Sequence, residues 1–313
     1  MSIKTMFFIR KFILIVYKVS ILSFLLVVVI FAPSVLFAGE GTTAKEGTGD
    51  TIVTVMTKDR YTFASSVDHM SGRVSVNQSD FEVKYETKVF GKLPVSAWFD
   101  YKHLDINENI PVDLPASLQG RRFGVGTKLP VPFLNSKEYF IGIDVMPSWY
   151  SDSASLTSSS FRLPFRTYLI YNPIDTLTDT FVLIAGAQID VKAETPVIPV
   201  IGFNFQPNDR LEFHLASDEP TITYKLDNHW AIFTEYKPTF DEYGITRTSQ
   251  KGVVLRVREV IFGGGIKFKI NDWLDASLSS GLNAWRQFSY PDNAGKADVN
   301  NAPYIKARFS MIF

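Results

Sequence analysis

The chain offers little that could do covalent chemistry. Its one nucleophile beside a base is the step His69-Met70-Ser71, because residues two apart share one face of an extended chain and the imidazole could then deprotonate the hydroxyl. Asn77 or Asp80 could orient the ring, but no spacing requires either, and His and Ser two apart often arise by chance. No Gly-x-Ser-x-Gly, His-Glu-x-x-His or cysteine-based motif occurs. His103, His214 and His229 are scattered without ligand spacing, so no metal and no cofactor is expected. Gly263-Gly264-Gly265 lacks the lysine and spacing of a phosphate loop and falls inside an extended stretch, where glycines relieve the curvature of a rolled sheet. These residues point away from an enzyme, and no catalytic residue is assigned.

The charged residues are more informative, because they recur at every second position. Glu82, Lys84, Glu86 and Lys88 alternate with Phe81, Val83, Tyr85, Thr87 and Val89; Asp100 and Lys102 alternate with Val95, Ala97, Phe99 and Tyr101. Lys306 and Arg308 oppose Ile305, Ala307, Phe309, Met311 and Phe313. Period two is the mark of a strand with one apolar and one polar face. On the same register Arg122, Lys128, Asp144, Arg162, Arg166, Glu235, Lys267 and Lys269 join the polar face. With 32 basic and 32 acidic side chains no global field favours nucleic acid, and the absence of cysteine excludes disulfides and thiolate metal sites.

The elements that must carry these rows are long strands. Stretches of about 10–13 residues match a tilted bilayer crossing better than soluble strands of ~5–6. Tight turns are expected near Gly91-Lys92, Pro207-Asn208-Asp209, Asp227-Asn228 and Asn271-Asp272, and longer polar loops at 107–118, 151–158, 239–252 and 291–302. Phe90, Tyr171, Phe205, Trp230, Trp273 and Phe313 sit beside the short turns, as an interfacial aromatic girdle requires. A charge on a lipid face costs ~2–4 kcal/mol at mid-depth, so the charged rows must face a bore. Beyond residue 50 no apolar run is long enough for a membrane helix.

At the N-terminus, Lys4, Arg10, Lys11 and Lys18 precede the apolar run Ile21–Phe31, broken by Pro33 and followed by the small residue Ala38. Residues 1–38 therefore read as an export signal cleaved after Ala38, the alternative being an uncleaved anchor. Residues 39–50 are a polar, flexible lead-in, and 51–313 form the folded domain.

The ending Tyr304-Ile305-Lys306-Ala307-Arg308-Phe309-Ser310-Met311-Ile312-Phe313 resembles the last strand of Gram-negative outer-membrane β-barrel proteins. The resemblance implies an outer-membrane location, contact with outer-membrane lipid, and a signal in Phe309, Met311 and Phe313 read by the barrel-assembly machinery. Residues 199–237 are similar to an uncharacterised group of such barrels, which brings a fold and no activity. The His-x-Ser pair is similar to that of outer-membrane phospholipases and lipid A deacylases, without the sequence around it.

Counting back from Phe313 gives an odd number of strands; parity then demands one more within Thr51–Ser65. The expected fold is a closed antiparallel transmembrane β-barrel of about 14 strands, or twelve if the short pair 211–216 and 219–226 forms a flap outside the wall. Its lumen would be lined by Lys84, Glu86, Lys88, Asp100, Lys102, Arg122, Lys128, Arg162, Arg166, Lys267, Lys269, Lys306 and Arg308. The leading functional expectation is a passive, porin-like pore for small polar or anionic solutes. The alternatives are a closed structural or adhesin-like barrel whose charges neutralise one another, a lipid hydrolase, and a transporter of hydrophobic compounds, which would need an apolar lumen patch or a lateral opening.

Overall fold

The computed structural model describes residues 51–90, 93–134, 138–152, 160–173, 181–247, 250–291 and 295–313. The expected export signal and lead-in lie outside these residues, as do Gly91-Lys92 and most of the loop expected at 151–158.

The described chain folds into fourteen antiparallel strands. They are β1 (Ile52–Ser66), β2 (Arg73–Val89), β3 (Leu93–Glu108), β4 (Ser117–Pro130), β5 (Tyr139–Val145 with Ser148–Ser151), β6 (Phe161–Arg162 with Phe165–Tyr171) and β7 (Phe181–Ile189). The second half comprises β8 (Val197–Asn208), β9 (Leu211–His214), β10 (Thr221–Lys225), β11 (Trp230–Arg247), β12 (Gln250–Asn271), β13 (Leu274–Ser289) and β14 (Lys296–Val299 with Ala302–Ile312). Pro147 and Pro164 interrupt β5 and β6, where a residue without an N–H cannot hold its place in the ladder. β1 closes the barrel against β14, in register from Thr54 with Ile312 to Thr62 with Tyr304. The pair expected at 211–226 as strands or flap stays in the wall as β9 and β10.

Residues 239–252, expected as a loop, are strand instead: β11 and β12 pair from Trp230 with Phe268 up to Arg247 with Gln250. The reason is an inversion of the two faces along the barrel axis. Near the end that holds Ile52 and Phe313, the termini end of the described chain, the outer face carries Val125, Phe262, Leu278 and Leu282, all exposed, and the inner face carries ions. Towards the opposite end, where the β11–β12 hairpin rises, the inner face turns apolar. Val74, Val76, Leu104, Ile106, Leu118, Tyr243, Leu255, Val257 and Phe288 are buried there in one cluster. Their neighbours in sequence, Ser75, Asn77, His103, Asp105, Glu242, Arg256 and Arg258, are polar and take the other face. The lower half is thus built for a hydrocarbon surround and the upper half for water, like a small soluble barrel with its own core.

Gly263-Gly264-Gly265 lies inside β12, as expected of glycines in a rolled sheet, but Gly263 has a more specific role. A Cβ there would collide with the Tyr304 hydroxyl, which donates to Glu235 at 2.7 Å.

Candidate functional site

The bore has three storeys. At the termini end is a vestibule of about 630 Å³, walled by Glu82, Lys84, Glu86, Trp98, Asp100, Arg122, Lys128, Asp144, Arg166, Lys267 and Arg308 among others. Lys84, Glu86 and Lys267 are 37%, 40% and 46% exposed, so the vestibule is open to solvent at that end.

Above it lies a layer of buried ions. Lys306 donates to both Glu219 and Glu235, and Lys58 donates to Glu219 at 2.8 Å. Arg60 donates to Glu259 and to Gln78, while Arg286 reaches Glu259 at 2.7 Å and Thr62 at 3.2 Å. Lys102 donates to Asp241 at 2.7 Å. Charges in so dry a place hold because each has an opposite partner and further hydrogen bonds. Among these ions lies a void of about 10 Å³, room for roughly one water. The apolar cluster around Tyr243, Leu255 and Phe288 forms the third storey and stoppers the hairpin end.

One loop carries the contact between vestibule and ion layer. Between β9 and β10, residues Leu215–Pro220 fold into the bore. Asp218 lies 3.6 Å from Arg122 and 3.5 Å from Arg166, and Glu219 sits between Lys58 and Lys306.

Most of the expected lumen residues meet in this bore. Lys84, Glu86, Asp100, Arg122, Lys128, Arg166, Lys267, Lys306 and Arg308 line the vestibule, and Lys102 lines the adjoining space beside the loop. Three expected members stand elsewhere. Lys269 pairs with Asp272 at the rim at 2.7 Å, and Lys88 is exposed near the β2 end. Arg162 is buried in the wall, donating to Glu242 at 2.7 Å and to the Lys192 carbonyl. The residues missed are mainly acidic: Glu212, Asp218, Glu219 and Asp275 also line the vestibule, with Lys58 from β1. Acidic side chains there slightly outnumber basic ones, which removes the excess of positive charge that anion selectivity would need.

The aromatic residues expected to form a girdle lie near the end that holds Ile52 and Phe313. Tyr171 stacks on Tyr139 at 4.8 Å, Trp230 packs on Phe268 at 4.5 Å, Trp273 on Phe313 at 6.3 Å, and Phe205 on Phe213 at 6.1 Å. Phe90 is 95% exposed at the adjoining turn. Phe309, Met311 and Phe313 share one side of the closing strand, and Phe313 exchanges backbone hydrogen bonds with Val53 at 2.8 and 3.0 Å. His69 and Ser71 lie in the β1–β2 turn, with His69 in a left-handed conformation, φ 58°, and no hydrogen bond joins them among the described residues. Among the described residues no group of His, Asp and Glu could hold a metal ion.

Residues 169–313 match a family described as a domain of unknown function, DUF6268. No curated protein matches the chain. Similar solved structures include the COG4313 outer membrane channel from Pseudomonas putida F1, 10% identical with a TM-score of 0.43, covering 88% of this chain and 99% of that one. The NanC porin is 8% identical with a TM-score of 0.35, covering 83% and 98% of the two chains. A deletion mutant of the TodX monoaromatic hydrocarbon channel is 10% identical with a TM-score of 0.42, covering 86% and 90%.

Proposed function

We propose that the protein is an outer-membrane channel, not an enzyme, whose vestibule admits small solutes bearing polar groups from the side of the chain termini. The observation that carries this reading is the vestibule itself: about 630 Å³ of solvent-open space walled by ions of both signs. A barrel serving only as a scaffold would fill its bore with side chains, as this one does at its hairpin end. The apolar outer face around Leu278 and Leu282 suits acyl chains, and an even count of strands among the described residues, with Ile52 and Phe313 at one end, suits the bacterial outer membrane. Phe309, Met311 and Phe313 fit the role of assembly signal. Because acidic and basic groups nearly balance, the vestibule favours polar solutes without preference for anions.

The packed stopper favours a second reading, a barrel closed along its axis. Flux into vesicles separates the two. Liposomes carrying the refolded protein should swell in small neutral polyols faster than liposomes carrying none; equal rates would support the closed barrel.

A further inference from the structure

The wall of the barrel has a gap. β9 and β10 are only 4 and 5 residues long, between neighbours of 12 and 18. Beyond this short hairpin, Val197–Gly202 of β8 pair only with β7, and Lys237–Tyr243 of β11 pair only with β12, among the described residues. Two sheet edges therefore face one another without a ladder between them. The lower border is the inward loop, fixed by Leu215 N–H to the Phe203 carbonyl at 2.8 Å and Tyr236 N–H to the Pro220 carbonyl at 3.0 Å. The upper border is held by Glu242, which accepts from Arg162 at 2.7 Å and from the Glu194 N–H at 3.2 Å.

A cavity of about 540 Å³ runs into this gap from the bore. Its inner side carries Lys102, Arg122 and Asp218; its outer side carries Ile201, Tyr236 and Phe240. Ile201 is 77% and Phe240 60% exposed, so the outer rim is apolar where the inner rim is ionic. Thr239, 8% exposed, lines the same cavity, and its buried hydroxyl has no hydrogen-bond partner among the described residues. A water or a solute's polar group entering the cavity would complete that bond. The gap lies at the upper margin of the apolar outer face, where exposed Phe240 pairs with Arg258, and open sheet edges at that depth are tolerated only where they line a cavity, because lipid offers no hydrogen bonds. With the axial route narrowed by the ion layer and the apolar cluster, the gap is a second outlet for the vestibule.

We infer that this gap is a side window through which a small amphipathic molecule, with an uncharged or zwitterionic head and an apolar body, passes between the vestibule and the bilayer. The head exchanges contacts with paired ions of both signs, which disfavours a net charge, while the body slides past Ile201 and Phe240. The inference rests on the channel reading and names the class of solute it serves.

The chain has no cysteine, so single introduced thiols report alone. The full-length protein would be reconstituted in phosphatidylcholine vesicles as Ser217→Cys in the inward loop, Ser277→Cys on the vestibule wall and Leu278→Cys on the outer face. Each variant would meet a water-soluble thiol reagent on both sides of the membrane, or a maleimide dissolved in the lipid. The Ser277→Cys thiol should react only from water, the Leu278→Cys thiol only from lipid, and the Ser217→Cys thiol from both. A short monoacyl phosphocholine should then slow lipid-side labelling of Ser217→Cys and leave Leu278→Cys unchanged. Labelling of Ser217→Cys from water alone, from neither phase, or slowed no more than Leu278→Cys would overturn the window. Loss of water-side labelling at Ser277→Cys would instead overturn the channel reading.

Discussion

Lys58 donates to Glu219 at 2.8 Å, tying the first strand to a loop 161 residues further along the chain. That loop supplies one face of the vestibule, one anchor of the ion layer and the lower border of the wall gap. Both side chains are largely hidden, 15% and 10% exposed, so removing one partner leaves the other charge in a poor solvent.

Glu219→Gln should therefore destabilise the barrel by about 3 kcal/mol, the scale for breaking a buried pair. Urea unfolding in detergent reads the change. Lys58→Glu alone should be comparably harmful, and the swap Lys58→Glu with Glu219→Lys should recover part of the loss. Full additivity of the two single changes would argue against the contact.

Phe288 is 1% exposed and belongs to the stopper. Phe288→Ala should lower stability by about 3–5 kcal/mol through the cavity it leaves. If the stopper is what shuts the axial route, the same variant should also raise single-channel conductance. A stability loss with unchanged conductance would place the barrier in the ion layer alone.

Gly263→Val should cost about 1–3 kcal/mol, because the new side chain must displace the Tyr304 ring from its bond to Glu235. Gly264, on the opposite face of the strand, has far more room, its nearest neighbour being the Phe233 carbonyl. Gly264→Ala should be milder by the same unfolding assay.

At the termini end, Asp227 accepts from the N–H groups of His229 and Trp230, both at 2.7 Å, and these bonds hold its carboxyl below the usual carboxylate range. A carboxyl that is more acidic when folded stabilises fully above its unfolded pKa, and that contribution fades as pH falls through the lower folded value. Asp227→Asn keeps an acceptor but cannot titrate, so it should flatten the acidic limb of the stability–pH curve. Trp230 fluorescence during unfolding would record it, and an unchanged limb would remove Asp227 from the account.

The lower half of the barrel was legible in the sequence because one physical rule, ions in and apolar side chains out, holds along Glu82–Lys88 and Ile305–Phe313. The strand preceding Phe81 emerged from parity alone. Residues 239–252 were misread because Tyr243, Ile245, Leu255 and Val257 turn inward while Glu242, Arg256 and Arg258 take the other face, and an inverted alternation at charged positions resembles a polar loop. The acidic half of the vestibule stayed hidden for a different reason. Asp218 and Glu219 lie in a turn-like Ser-Asp-Glu-Pro stretch, and nothing local tells a loop that folds into a bore from one that folds into solvent. The gap depends on the shortness of β9 and β10 relative to β8 and β11, which no single strand encodes.

The claim on which the account rests is that the vestibule conducts. Single-channel recording of the refolded, full-length protein in a planar bilayer tests it most directly. Discrete conductance steps are expected, with a reversal potential near zero in a salt gradient, as balanced acidic and basic walls require. A barrel that inserts, resists heat in detergent and passes no current under any applied voltage would contradict it.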